Sequence, residues 1–124
     1  MSEKLLFTKE HEWIRVVGNT ATVGITDFAQ SELGDIIFVE LPEIEEEFNS
    51  NDVFGTIEAV KTVADLFMPV SAKILKINNS IEDEPEKINK DAEGVGWIVE
   101  IEIQNLEELD SLLTRQEYDQ LINN

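Results

Sequence analysis

Amines, carboxylates and a single imidazole are the groups with which this chain can do chemistry, since it has one histidine and no cysteine. Without cysteine there are no disulfides, no thiolate metal ligands and no Cys nucleophile. His11 alone excludes a His-rich metal site, and a lone histidine before Trp13 reads as a structural or surface residue. No Gly-x-Ser-x-Gly elbow, Gly-x-x-x-x-Gly-Lys loop or Gly-x-Gly-x-x-Gly turn occurs. The 27 carboxylates are too many for any pair to stand out as acid and base. Glu43, Glu45, Glu46 and Glu47 lack the Asp-x-Asp-x-Asp-Gly spacing of a calcium loop and read as a solvated acidic connection. No catalytic residue and no metal site are expected.

One lysine stands apart. Extended runs flank E-A-V-K-T-V-A-D (58–65), and if they pair as a hairpin over about 53–77, Lys61 falls at or near its tip. Only Lys73 and Lys76 are basic within 15 positions on either side. An ammonium on a flexible four-carbon stem at a hairpin tip suits covalent modification by another enzyme, followed by use as a swinging arm. A solubilising lysine in a turn fits the same spacing.

The elements that must hold this lysine are mostly strands. E-W-I-R-V-V (12–17) and T-A-T-V-G-I (20–25) flank Gly18-Asn19, a pair suited to a hairpin turn because both residues tolerate positive φ. Alternation puts Ile14 with Val16, and Ala21 with Val23 and Ile25. Thr26 or Asp27 can cap a short helix that Gly34 ends. Strands follow at 36–41, 53–60 and 70–77, with Pro69 forcing an edge or bend. The stretch 80–94 allows helical turns at best, around Pro85. In W-I-V-E-I-E-I (97–103), Trp97, Val99, Ile101 and Ile103 point one way. Leu106, Leu109, Leu112 and Leu113 follow helical spacing. Thr114 to Glu117 form a capping-box pattern, giving a C-terminal helical segment over about 105–122.

The 124 residues suit a single domain. The net charge of −18 does not signal disorder here, because Leu, Ile, Val and Phe supply about a third of the chain. That charge repels nucleic-acid phosphates and anionic membranes, and favours partners with basic docking faces. No apolar run approaches the roughly 20 residues of a bilayer span. The polar N-terminus is unlike a secretory or transit peptide, which predicts a cytoplasmic protein.

The blocks F-T-K-E-H-E-W (7–13), A-T-V-G-I-T-D-F-A-Q (21–30), L-G-D-I-I-F-V-E-L-P (33–42), F-G-T-I-E-A-V-K (54–61), P-V-S (69–71), E-D-E-P-E-K-I-N-K-D (82–91) and G-W (96–97) resemble, in order, the H-protein family of the glycine cleavage system. The resemblance implies a mainly β fold. It would be a barrel-sandwich hybrid, a lipoyl-domain-like β-sandwich with short helices and a C-terminal helical extension, spanning 1–124. It implies lipoate in amide linkage on Lys61, with Glu58 helping to present that lysine. It also implies a non-catalytic carrier. The arm would take an aminomethyl group from a pyridoxal-phosphate glycine decarboxylase, the P protein. It would pass a one-carbon unit to tetrahydrofolate on an aminomethyltransferase, the T protein, and be reoxidised by dihydrolipoamide dehydrogenase, the L protein. A lipoate ligase or octanoyltransferase would be a further partner. Glu12 and Asp65 match family positions near a cleft that receives the loaded arm, where each is otherwise a surface carboxylate.

The chain departs from the family pattern at three places. Ala59 stands where Ser is frequent, Ala72 where Gly is frequent, and Asp91-Ala92-Glu93 where Asp-Pro-Tyr is usual. Two other carriers use similar hairpins. An H-like relay that supplies lipoyl groups to other complexes needs the same lysine. A biotinyl carrier usually sets its lysine between methionines, whereas Val60 and Thr62 flank Lys61.

Overall fold

The computed structural model describes residues 3–123. Strands β1 (Lys4–Phe7), β2 (Glu12–Val17) and β3 (Thr20–Ile25) form an antiparallel meander. Helix α1 (Asp27–Leu33) leads to β4 (Ile36–Glu40), β5 (Glu47–Phe48), β6 (Val53–Ala59), β7 (Val63–Phe67) and β8 (Ala72–Ile77). Two short helices, α2 (Asn79–Asp83) and α3 (Glu86–Lys90), precede β9 (Val99–Ile103). A 3₁₀ helix (Leu106–Ser111) and α4 (Arg115–Ile122) follow.

The strands make a six-stranded sheet, β1-β2-β3-β9-β8-β5, and a three-stranded sheet, β4-β6-β7. Ile14, Val23, Ile74 and Ile101 from the first and Val39, Ile57 and Leu66 from the second join in one core. The molecule is therefore a β-sandwich. Each of these side chains is 2 % exposed or less, and each contributes roughly 1.5–3 kcal/mol by leaving water. Strand β2 is buried on both faces. Ile14 and Val16 face the core, while Trp13 packs with Phe7 and Tyr118 under α4.

Local turn chemistry behaves as the sequence predicts. Gly18 sits at φ +65° in the β2–β3 turn. The Thr26 hydroxyl caps α1 by accepting from the Ala29 N–H, and Gly34 at φ +79° ends the helix. Both halves of the capping box of α4 form between Thr114 and Glu117.

Four expectations change. The hairpin around Lys61 closes at Phe67 rather than running to residue 77, because β8 pairs with β9 and β5 in the other sheet. The expected strand at 97–103 begins at Val99, and Ile98 is as buried as its neighbour on the opposite parity. The helical spacing of Leu106 to Leu113 is met by a 3₁₀ helix over 106–111 that stops short of Leu113, which bridges Phe7 in β-fashion. The stretch around Pro85 does hold two helices, with Pro85 itself at the N-cap of α3.

Candidate functional site

Lys61 occupies the exposed turn between β6 and β7. The turn is tight because the Ala59 N–H donates to the Thr62 carbonyl at 2.8 Å. It is anchored because the Val60 N–H donates to the Asp35 carbonyl at 3.0 Å. Ala59 is itself buried, so the body supports the turn from beneath. The amine thus stands on a fixed base with a free stem.

Register sets Phe38, Glu58 and Val63 in one row across the three-stranded sheet. A bulge between Ile36 and Phe38 turns both Ile37 and Phe38 outward. Ile37, Phe38, Val60 and Val63 are each more than half exposed, at 52 %, 53 %, 66 % and 63 %. An apolar surface with an acidic member, Glu58, therefore adjoins Lys61. Sequence reasoning missed this patch, because the run I-I-F-V-E reads as an ordinary strand unless its bulge is known.

Strand β7 runs from the turn to a cleft of about 340 Å³. The cleft has an apolar floor that includes Ile57 and Leu66, one wall from His11 and Glu12, and another from Phe28 and Glu32 of α1. Asp65 of β7 also lines it. Glu12 and Asp65, apart in sequence, thus share one cavity. The sequence assigned no role to Phe28 or Glu32, although their spacing of four residues places them on one face of α1.

Glu12 is the unusual group in this cleft. It alternates with Ile14 and Val16 on the inner face of β2, and it is only 2 % exposed. Its Oε2 accepts from the Phe67 N–H at 2.7 Å, and its Oε1 lies 3.3 Å from Thr8 Oγ1. Burial pushes its pKa up to about 8 from an ordinary 4.5, against the lowering effect of the Phe67 hydrogen bond. A value near 8 leaves Glu12 mostly protonated near pH 7. Asp65 stays exposed, and Glu10 and Glu32 add two further carboxyl groups. An apolar floor beneath four carboxyl groups suits an arm that is apolar along its length and cationic at its end.

A family model described as Glycine cleavage H-protein matches residues 5–124. The chain belongs to that H-protein family. A glycine cleavage system H protein from Anoxybacillus flavithermus is 49 % identical over 121 residues, covering 98 % of this chain and 95 % of that protein. One from Staphylococcus saprophyticus is 47 % identical over 119 residues, covering 96 % and 94 %. The crystal structure of a glycine cleavage system H protein from Mycobacterium marinum superposes with a TM-score of 0.90 at 32 % identity, each chain fully covered. The fold is accordingly the lipoyl-domain-like β-sandwich of H proteins. The chain is a non-catalytic lipoyl-carrier component of the glycine cleavage system, and works with that system's enzymes. Members of the H-protein family carry lipoate. No helix among the described residues is long and apolar enough to cross a membrane.

The residues that depart from the H-protein pattern are packed or hydrogen-bonded in place. Ala72 is fully buried between the sheets. The Ala92 carbonyl accepts from Trp13 Nε1 at 3.0 Å. Glu93 accepts from the Asp27 N–H at 2.9 Å and pairs with Arg115 at 2.7 Å, so it ties α1 to α4.

Proposed function

We propose that Lys61 carries the lipoyl group, that Glu58 and the exposed apolar patch guide the attaching enzyme to it, and that Glu12 and Asp65 hold the loaded arm in the cleft. One observation carries this: a lysine on an anchored tip begins the strand that leads into an acid-lined apolar cavity. Asp65 is the third residue of β7, four positions past Lys61, so roughly 13 Å is the upper bound of the span at about 3.3 Å per residue. A lysine stem alone is too short for that distance, whereas a lipoyl-extended lysine spans it.

Bound lipoate supplies a dithiolane whose sulfur accepts and releases the aminomethyl group. The protein's own residues supply position and charge. Ile57 and Leu66 receive the apolar chain and exclude water from it. An ammonium entering beside Glu12 favours ionisation of that carboxyl, so its proton passes to water as the cation arrives. The carboxylate then forms where it is needed, with Oε2 still held by the Phe67 N–H. Exposed Asp65 supplies a second negative charge at the cleft. Both groups keep the amine cationic, so its lone pair is held in an N–H bond and cannot expel the sulfur, which slows loss of the load to water.

The partners on this reading are the P, T and L proteins and a lipoate ligase or octanoyltransferase, in the cytoplasm. The acidic surface favours basic docking faces on each and speeds encounter at low salt. The test is glycine decarboxylation with purified P protein and lipoylated carrier. CO₂ release in proportion to wild-type carrier, and none with Lys61→Arg, is expected. Equal release with both would refute Lys61 as the carrying residue.

A further inference from the structure

Tyr118 of the C-terminal helix meets both walls of the cleft, its ring standing edge-on to the His11 imidazole with centroids 5.7 Å apart. Tyr118 Oη lies 2.9 Å from His11 Nδ1 and 2.7 Å from Thr26 Oγ1. His11 belongs to one wall of the cleft, while Thr26 is the N-cap of α1, which forms the other. We infer that Tyr118 is a positioning residue whose hydroxyl braces both walls of the cleft and so sets how firmly the loaded arm is held. This rests on the arm-docking role proposed above.

The hydrogen bonds form a consistent chain. Thr26 Oγ1 accepts from the Ala29 N–H at 3.2 Å and shares a second hydrogen bond with the Tyr118 hydroxyl, in which either oxygen can donate. The second hydrogen bond of that Tyr118 hydroxyl joins it to His11 Nδ1. The backbone of His11 stands at φ +69°, a left-handed conformation uncommon for residues other than glycine. It is pinned there because its N–H donates to the Thr8 carbonyl at 3.1 Å, and its own carbonyl accepts from Thr26 N–H at 3.0 Å. The imidazole meets the Phe28 ring at 4.9 Å, so it touches α1 directly as well. Because His11 and Glu12 are consecutive, displacement of the imidazole is transmitted to the buried carboxyl.

The helix that delivers the hydroxyl is firmly seated. Tyr118 is 1 % exposed, and its ring stacks on Phe7 with centroids 4.8 Å apart. Arg115 lies over the same Phe7 and pairs with Glu93, whose other oxygen accepts from the first N–H of α1. This seating lets Tyr118→Phe keep the stack while deleting only the brace.

The experiment compares wild type, Tyr118→Phe and Thr114→Ala, the last weakening α4 at its N-cap without touching the hydroxyl. In unloaded protein, NMR reads the His11 imidazole nitrogens and the exchange rate of the Ala29 amide. In lipoylated protein loaded by the P protein, the rate of amine loss to water is measured. Tyr118→Phe is expected to shift the His11 nitrogens, speed Ala29 exchange severalfold and speed amine loss severalfold, with lipoylation of Lys61 at the wild-type rate. Thr114→Ala is expected to lower Tm with little change in the other readouts. His11 and Ala29 signals unchanged in Tyr118→Phe, or equal amine loss from both variants, would overturn the proposal. If wild type itself took no lipoate, the carrier role would fail, and the unloaded-protein signals would still decide the brace.

Discussion

Glu12 Oε2 accepts from the Phe67 N–H at 2.7 Å, which ties a buried carboxyl of the six-stranded sheet to the strand that begins beside Lys61. The bond crosses between the two sheets and fixes where a negative charge would stand in the cleft. It cannot fully compensate burial, so the carboxyl remains protonated well above its ordinary range.

A pH dependence follows. The folded state binds the Glu12 proton more tightly than the unfolded state, so this group's stabilising contribution is complete below about pH 4.5 and is lost as pH rises through about 8. The slope from this one group is at most about 1.4 kcal/mol per pH unit. Urea unfolding at pH 5 and pH 8.5 should show a larger fall for wild type than for Glu12→Gln. Parallel falls would mean that Glu12 titrates normally.

Asp65→Asn removes an exposed charge from β7 without a buried partner to orphan. Stability should change by less than about 0.5 kcal/mol. Lipoylation should proceed as in wild type, while the amine load is lost to water severalfold faster. A single-turnover decay assay on the loaded carrier reads this directly, and an unchanged decay would remove Asp65 from the arm site.

Lys61→Arg should fold normally, since the side chain is exposed in the hairpin turn. Thermal unfolding should give a stability within about 0.5 kcal/mol of wild type. A large loss of Tm would make Lys61 a structural residue.

Gly24 faces Trp13 across the β2–β3 ladder, and a Cβ there would stand 2.7 Å from the indole. The indole cannot yield easily, because it is fully buried and its Nε1 donates to the Ala92 carbonyl. Gly24→Ala should cost about 1–3 kcal/mol, read by chemical denaturation. Gly55→Ala should be at least as damaging, because its Cβ would meet the Glu40 backbone carbonyl rather than a movable side chain.

The parts of the fold set by local chemistry were legible in the sequence. Gly18-Asn19 turns the first hairpin, Thr26 and Gly34 bound α1, and Thr114 with Glu117 starts α4. What depends on distant partners was not. β8 could have continued the Lys61 hairpin but pairs instead with β9, and Ile98 is buried by tertiary packing that alternation does not encode. The leucines at 106–113 have helical spacing, yet Leu113 is drawn into a bridge with Phe7 and interrupts the helix. At the site, the resemblance marked Lys61, Glu58, Glu12 and Asp65, but nothing local marked Phe28 or Glu32 as cleft wall. His11 read as a structural or surface residue, and its link to Tyr118 spans 107 positions, which no motif records.

The most direct test of the central claim is intact mass after incubation with a lipoate ligase, lipoate and ATP, followed by peptide mapping, with Lys61→Arg alongside. A gain of one lipoyl group on wild type, mapped to Lys61 and absent from the variant, is the predicted result. No gain in folded wild-type protein, or a gain that persists in Lys61→Arg, would contradict it.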